Sequence, residues 1–353
     1  MHLLIDAREA CGTVRSGKGQ WTRGFIKELA KNKDLEITLL VADHHYTDWV
    51  MGPNVLVRRF EGGTFWHLRV LNAIWNKELT GVYVGTTSFL VPFFAAKKIP
   101  TVMVVHDMIA FRGEPHDRKA TFIEHITLGR AARLARLVFT ISESTRQDLL
   151  LRYPKLNPDT VVPIFAGPMA RLNAMHASDD STILCVATLC PRKNQERLIK
   201  AYAMLPDEDR KKYRLLLCGS RGWSDERIVK LAKKTEGVEW RGHITDEEYA
   251  HLLSTCHIFA LPSLYEGFGM QILDALLLGV PLLTSNRGSL YEVAGDAAVM
   301  VDPESVESIG AGLLKLLSDA KLRKHLEAAG PKQGEKFTWE RTVEIFLSEM
   351  KIF

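Results

Sequence analysis

The sequence predicts an α/β protein of two domains, each built on a doubly wound parallel sheet. Three observations predict it. Short, continuously apolar, β-branched runs recur along the 353 residues, stretches of helical spacing separate most of them, and the pattern restarts near residue 181 after a polar segment holding three prolines. Continuous rather than alternating apolar runs suit strands buried on both faces, and the intervening helices supply the crossovers that parallel strands require. The length is about twice that of a typical single domain, enough for two cores.

The first series runs LLI from residue 3, ITLLVAD from 37, GVYVG from 81, TVMVVHD from 101 and RLVFTIS from 136. The second runs STILCVA from 181, YRLLLCG from 213, VEWRG from 238, HIFALPS from 257, VPLLTS from 280 and AAVMVD from 297. Between them NPDTVVPIFAGPMARLNAMHASDD reads as the hinge, with the boundary at Gly167. Residues 338–353 read as an amphipathic helix capped by Thr338, with Val343, Ile345, Phe346 and Met350 available for burial. The expected domains are therefore 1–167, joined by the helix at 338–353, and 168–337.

Composition excludes several classes. Hydrophobic residues make up 46% and charged residues 25% of the chain, without low-complexity tracts, so disorder is not indicated. No stretch approaches the roughly 18 apolar residues of a membrane span, and the first residues lack the apolar run of a signal peptide, so the expectation is a cytoplasmic protein. Five cysteines, an odd number set mostly in apolar runs, read as reduced and structural; no Cys or His spacing suggests a zinc site. Residues 1–165 hold 22 Lys and Arg against 16 Asp and Glu. Such an excess attracts anionic lipid or polyanions, or is simply a solvated basic surface. Nothing points to nucleic acid.

The most informative stretch is LPSLYEGFGMQILDALLLGVPLLTSNRGSLYEVAGDAAVMVDP, from Leu261 to Pro303. A strand ends at Pro262, a loop carries Glu266-Gly267-Phe268-Gly269, and a helix begins near Met270. Glycines there let backbone amides approach an anion, and the helix start adds partial positive charge, so a diphosphate is a natural ligand. Glu266 beside it would take sugar hydroxyls. Asp274, about two turns further on, could reach a ribose diol. A second stretch, ILCVATLCPRKNQERLIKAY from Ile183, brings Thr188, Arg192 and Lys193 to the carboxyl end of a strand, with Asn194 as the expected helix cap. Cations there can neutralise a leaving diphosphate, although the pair alone also reads as a solvated loop.

Together these stretches resemble the family 4 retaining glycosyltransferases of the GT-B fold, whose two Rossmann-like domains face each other across a cleft. The resemblance covers nearly the whole chain. The family carries a glutamate, seven intervening residues and a second glutamate; here Glu266 is followed by GFGMQIL and Asp274. TLCPRKNQ is similar to the donor-phosphate loop, and RGHITDEEYAHLLSTCHIFALPS to the segment that packs on the base, around His243 and Ile244. In the first half SGKGQWTRGFIKEL resembles the family's first glycine-containing loop, which would bring Gly17 and Gly19 close to phosphate. VVHDMIAF resembles its His-Asp motif, which would face His106 to the sugar; a histidine capping a strand end is the alternative. Ser142 to Thr145 read as a helix cap rather than a catalytic serine.

The resemblance implies hexose transfer from a nucleoside-diphosphate sugar to a glycan or lipid-linked acceptor hydroxyl, with retention and without a metal or other cofactor. Lys193, Arg192 and amides from Gly267 through Phe268 and Gly269 to Met270 would stabilise the departing phosphate, Glu266 would hold ring hydroxyls, and His106 would stand on the acceptor side. Two departures matter: Asp274 replaces the usual glutamate, and Thr188 stands where many members have an arginine. If Asp274 is a shortened ribose ligand, Asp274→Glu lowers the donor KM. The TLxPRKN form resembles a mannosyltransferase-like subgroup, which makes GDP-mannose the first donor expected and UDP-sugars the next. A sugar-nucleotide epimerase and a catalytically silent donor-binding protein are the rival readings.

Weaker signals belong to surface or core. Residues 207–209, DED, read as solvated surface rather than a metal motif, and SGKG at 16–19 lacks the ending of a Walker loop. Arg130, Arg133 and Arg136 form a basic helical face that is either plainly solvated or in peripheral contact with an anionic membrane. FWHLRVLNAIW at 65–75 has the apolar spacing of a core-packing helix.

Overall fold

The first series of apolar runs builds a seven-stranded parallel sheet and the second a six-stranded parallel sheet. A computed structural model describes residues 1–12, 16–45, 47–49, 52–63, 65–113, 118–169, 176–179 and 181–353. It divides into one unit of Met1–Gly167 with Thr338–Phe353 and a second of Pro168–Phe337.

The first unit runs β1 (His2–Asp6), α1 (Gly17–Leu29), β2 (Glu36–Ala42), β3 (Val55–Phe60), α2 (Trp66–Trp75), β4 (Val82–Gly85), α3 (Leu90–Ala95), β5 (Thr101–Val105), α4 (Arg118–Leu134), β6 (Leu137–Thr140), α5 (Glu143–Arg152) and β7 (Val161–Pro163). Its strands lie in the order β3-β2-β1-β4-β5-β6-β7. The second runs β8 (Thr182–Val186), α6 (Gln195–Ala203), α7 (Asp207–Lys212), β9 (Arg214–Cys218), α8 (Glu226–Lys234), β10 (Val238–Trp240), α9 (Asp246–Thr255), β11 (Ile258–Leu261), α10 (Met270–Leu278), β12 (Leu282–Ser285), α11 (Gly288–Ala294), β13 (Val299–Val301), α12 (Val306–Ser318) and α13 (Ala320–Gly334). Its order is β10-β9-β8-β11-β12-β13. In each sheet the chain winds outward from its first strand, then returns to wind the other way. The reversal, between β1 and β4 and between β8 and β11, opens a crevice at the carboxyl ends of the strands, where ligands of such sheets bind.

The central strands are buried along their whole length, which is why their sequences do not alternate. The last helix, α14 (Trp339–Glu349), completes the first unit. Its Phe346 ring lies 5.0 Å from both Phe25 and Phe139, and Trp339 packs edge-on to Trp21. A Cβ at Gly24 would come within 2.2 Å of the Trp339 ring, so the helix α1 must be bare at that point. Val343 and Met350 are buried as the spacing predicts, whereas Ile345 is half-buried.

Four expectations need correction. β3 was not anticipated: it is an edge strand interrupted by Arg58 and Arg59, so it carries no continuous apolar run. β7 lies inside the stretch read as hinge; it too is an edge strand, where Pro163 costs no ladder bond. Gly17 and Gly19 are not in a loop but in the first turn of α1, because Ser16 Oγ accepts from the Gly19 amide at 3.2 Å and starts the helix there. A Cβ at Gly19 would meet the Glu9 carbonyl oxygen at 2.5 Å, so this glycine permits close packing of backbone on backbone. Arg136 lies beyond the end of α4, its amide bonded to Thr101 O, so the basic face of that helix holds Arg130 and Arg133 only.

The other surface and core readings fall into line. Residues 207–209 form the first turn of α7, with Asp207 and Glu208 exposed and Asp209 half-buried, and Ser142 caps α5 through the Thr145 amide at 3.0 Å. The helix α2 buries Trp66, Val70, Leu71 and Ile74 while Phe65, Leu68 and Trp75 stay exposed. All five cysteines are buried with free thiols. Among the described residues no helix is long and apolar enough to cross a membrane.

Candidate functional site

At the carboxyl end of β8 the chain makes a short 3₁₀ turn, Pro191–Lys193, which turns both cations inward. Leu264 N donates to Arg192 O at 2.8 Å and ties this turn to the loop after β11. That loop supplies Glu266. Its Oε2 accepts from Arg192 Nη1 at 2.8 Å and its Oε1 from Lys193 Nζ at 2.6 Å, with all three side chains about nine-tenths buried. Arg192 Nη1 also donates to Tyr265 O, and Ser289 Oγ to Glu266 O. Burial alone would raise the Glu266 pKa, but the adjacent Lys193 and Arg192 charges outweigh it and hold the group down at about 2. Two cations and one carboxylate leave the cluster with one net positive charge. The sequence placed Glu266 beside Arg192 and Lys193 but did not pair them; both of its oxygens have a cation as partner.

Gly269 follows at φ +92°, a backbone state that favours glycine, and a Cβ there would strike Leu290 Cδ2 at 2.7 Å. This sharp turn starts α10 at Met270 in the same loop as Glu266. Gly267 is half-buried, and Phe268 packs edge-on against Phe337 and belongs to the core rather than to an open surface.

Asn194 stands immediately before α6 at the cap position, but its side chain makes no capping hydrogen bond to the helix, which corrects the expected role. It adopts a left-handed conformation, φ +63°, and its Nδ2 donates to Pro262 O at 2.8 Å and Pro303 O at 2.7 Å. One amide thus joins the loops after β8, β11 and β13. The phosphate-loop resemblance pointed at the neighbouring cations and missed this fastening.

Asp274 differs most from expectation. It is fully buried; Oδ1 accepts from Met169 N at 3.0 Å and Oδ2 from the Tyr249 hydroxyl at 2.9 Å. No carboxylate surface is open to a ribose, because Tyr249 of α9 covers it. Sequence alone gave no sign of Tyr249.

His243 is exposed and Ile244 half-buried in the loop between β10 and α9, which begins with a capping box of Thr245 and Glu248. Gly219 N donates to Gly242 O at 2.6 Å, and a Cβ at Gly219 would lie 2.1 Å from Ala187 O, so the loops after β8, β9 and β10 lie together at this end of the sheet. Thr188 sits exposed among them. The second unit thus gathers Thr188, Arg192, Lys193, His243, Ile244 and Glu266 at the carboxyl edge around the β8–β11 reversal.

His106, Gly17 and Gly19 belong to the first unit. His106 follows β5, and its buried Nε2–H donates to Thr86 O at 2.6 Å, which leaves Nδ1 as the acceptor. Burial first and the Lys18 charge second depress its pKa to about 4, so the ring is neutral at physiological pH. Lys18 in turn lies 3.4 Å from Glu124 and 3.8 Å from Asp107. The strand-end reading of His106 describes this arrangement. Among the described residues no group of acidic, His and Cys side chains could hold a metal ion.

Comparison with known proteins adds to this geometry. The family model described as "Glycosyl transferases group 1" matches residues 173–333. The chain is 33% identical over 266 residues to the O-antigen chain mannosyltransferase B of Escherichia coli, covering 71% of this chain and 70% of that protein. It is 31% identical over 269 residues to the serotype-specific mannosyltransferase WbdA of the same species, spanning 69% of this chain but only 32% of that longer protein. Its fold is similar to that of sucrose-phosphate synthase from Thermosynechococcus elongatus, with a TM-score of 0.81 at 17% identity over 100% of this chain and 98% of the other.

Proposed function

We propose that this chain, which belongs to the glycosyl transferases group 1 family, moves a hexose from a nucleoside-diphosphate sugar to the hydroxyl of a glycan or lipid-linked acceptor, with retention and without a metal. Mannose is the first sugar to test, because the two E. coli relatives named above are mannosyltransferases; GDP-mannose is the corresponding donor, with UDP-sugars next. Polysaccharide or lipopolysaccharide synthesis in the cytoplasm, peripheral to an anionic membrane, is the setting that fits these relatives and the basic first half of the chain.

The observation that carries this reading is the buried Arg192–Glu266–Lys193 cluster beside the start of α10. Departing diphosphate develops negative charge, and preorganised cations stabilise it without reorganisation. Glu266 holds the two cations in place, and a carboxylate accepts more than two hydrogen bonds, so its remaining lone pairs suit sugar hydroxyls. Neutral His106 can accept a hydrogen bond at Nδ1 from a hydroxyl, and the leaving phosphate oxygen serves as the base for the acceptor. Family membership disfavours the epimerase. The likeness to two mannosyltransferases disfavours the silent donor-binding protein.

Thermal shifts of the wild type and Lys193→Ala with GDP, UDP, ADP and their hexose conjugates test the reading. One nucleotide series should stabilise the wild type, by about 2.7 kcal/mol at a hundredfold excess over Kd, and the variant should lose that shift. If no nucleotide stabilises the wild type, the donor site is wrongly assigned.

A further inference from the structure

Glycosyl transfer leaves one exposed face of the first unit unexplained. On α4, Phe122, Ile126, Arg130 and Arg133 recur at spacings of four, four and three, which puts them on one side of the helix. All four are exposed, Phe122 at 65% and Ile126 at 53%. The other side of α4 carries Leu128, Ala131 and Ala132 into the core. α3 packs alongside: Arg130 Cζ lies 4.9 Å above the Phe93 ring, and Phe94, 52% exposed, stacks edge-on against Phe93 at 4.7 Å. Lys97 and Lys98 follow, both exposed. The acid of this helix, Glu124, is turned to Lys18.

We propose that this α3–α4 face docks on the surface of an anionic lipid bilayer, with Phe94, Phe122 and Ile126 entering the boundary of the acyl chains and the four cations meeting the headgroups. The choice of occupant rests on charge complementarity. Apolar side chains framed by Lys and Arg are what an interfacial helix presents to anionic lipid, and each such cation near the surface adds attraction. A second copy of this chain fits less well, because a twofold contact would set the same cations against one another. The proposal deepens the membrane part of the proposed function and rests on none of its donor chemistry.

The test uses the full chain, without nucleotide or acceptor, and vesicles of phosphatidylcholine with or without phosphatidylglycerol. Co-sedimentation should be at least about tenfold stronger with the anionic lipid and should weaken as salt is raised. The double variants Phe122→Ser/Ile126→Ser and Lys97→Glu/Lys98→Glu should each lose about tenfold or more while melting at the wild-type temperature, since all four positions are exposed. Equal binding to both vesicle types, or binding retained by both variants, would overturn the proposal. So would a dimer in sedimentation velocity that Phe122→Ser/Ile126→Ser abolishes. A chain that binds these vesicles but is not stabilised by any nucleotide would fail the donor reading alone.

Discussion

The Tyr249 hydroxyl donates to Asp274 Oδ2 at 2.9 Å in a site with no exposure to solvent at the carboxylate. Tyr249→Phe leaves that oxygen buried without its donor, which costs about 1–3 kcal/mol of stability, readable in urea unfolding. Asp274→Glu adds a methylene to a filled site and should destabilise by a similar amount, about 1–3 kcal/mol. It should not lower the donor KM, in contrast to what a shortened ribose ligand would give. A stable Asp274→Glu variant with a reduced KM would restore the ribose role.

Glu266→Gln removes the charge that compensates two buried cations. Breaking such a pair costs about 3–5 kcal/mol, and the displaced cations should lower kcat by about a hundredfold or more. The wild type adds a pH signature. Because Glu266 is depressed from the ordinary 4.5 to about 2, its contribution is complete above pH 4.5 and is lost as the pH falls toward 2. Acid unfolding followed by circular dichroism should therefore be shallower in Glu266→Gln than in the wild type across that window.

Asn194→Ala deletes two buried donors to Pro262 O and Pro303 O and puts alanine in a left-handed conformation. A loss of about 2–4 kcal/mol is expected from the orphaned carbonyls and the strain together. Asn194→Gly relieves the strain alone and should fall between alanine and the wild type. Equal melting temperatures for all three would mean that the loops are not fastened here.

His106 titrates near 4 when folded and near 6.5 when unfolded. Its depressed value means that the unfolded chain binds the proton first. Stability attributable to this ring is whole above pH 6.5 and declines through pH 4, by up to about 1.4 kcal/mol per pH unit between the two values. His106→Asn should flatten the dependence of melting temperature on pH in that interval. Activity should show no inflection from this ring between pH 5 and 8.

The central strands and the individual residues of the cation–carboxylate cluster were legible because their signals are local, whereas the pairing of Glu266 with both cations was not, since it joins loops 73 and 74 residues apart. A strand buried on both faces writes a continuous apolar run, and Arg192, Lys193 and Glu266 each follow such a run directly. Asn194 and Tyr249 were not legible, since their meaning depends on partners 68 and 109 residues away for the first and 25 for the second. The edge strand β3 was lost to Arg58 and Arg59, which at the margin of the sheet bond to Glu78 and to the carbonyls after β2. The glycines of α1 were visible as glycines, but whether the chain there is loop or helix turned on the Ser16 cap, and the bare surface of Gly24 on a tryptophan more than three hundred residues later.

That last distance bears on synthesis. The second unit is continuous in sequence, whereas the first waits for residues 338–353 to bring Trp339 against Gly24 and Phe346 against Phe25 and Phe139. The order of completion along the chain is thus inverted: the unit begun first is the last for which every element has been made.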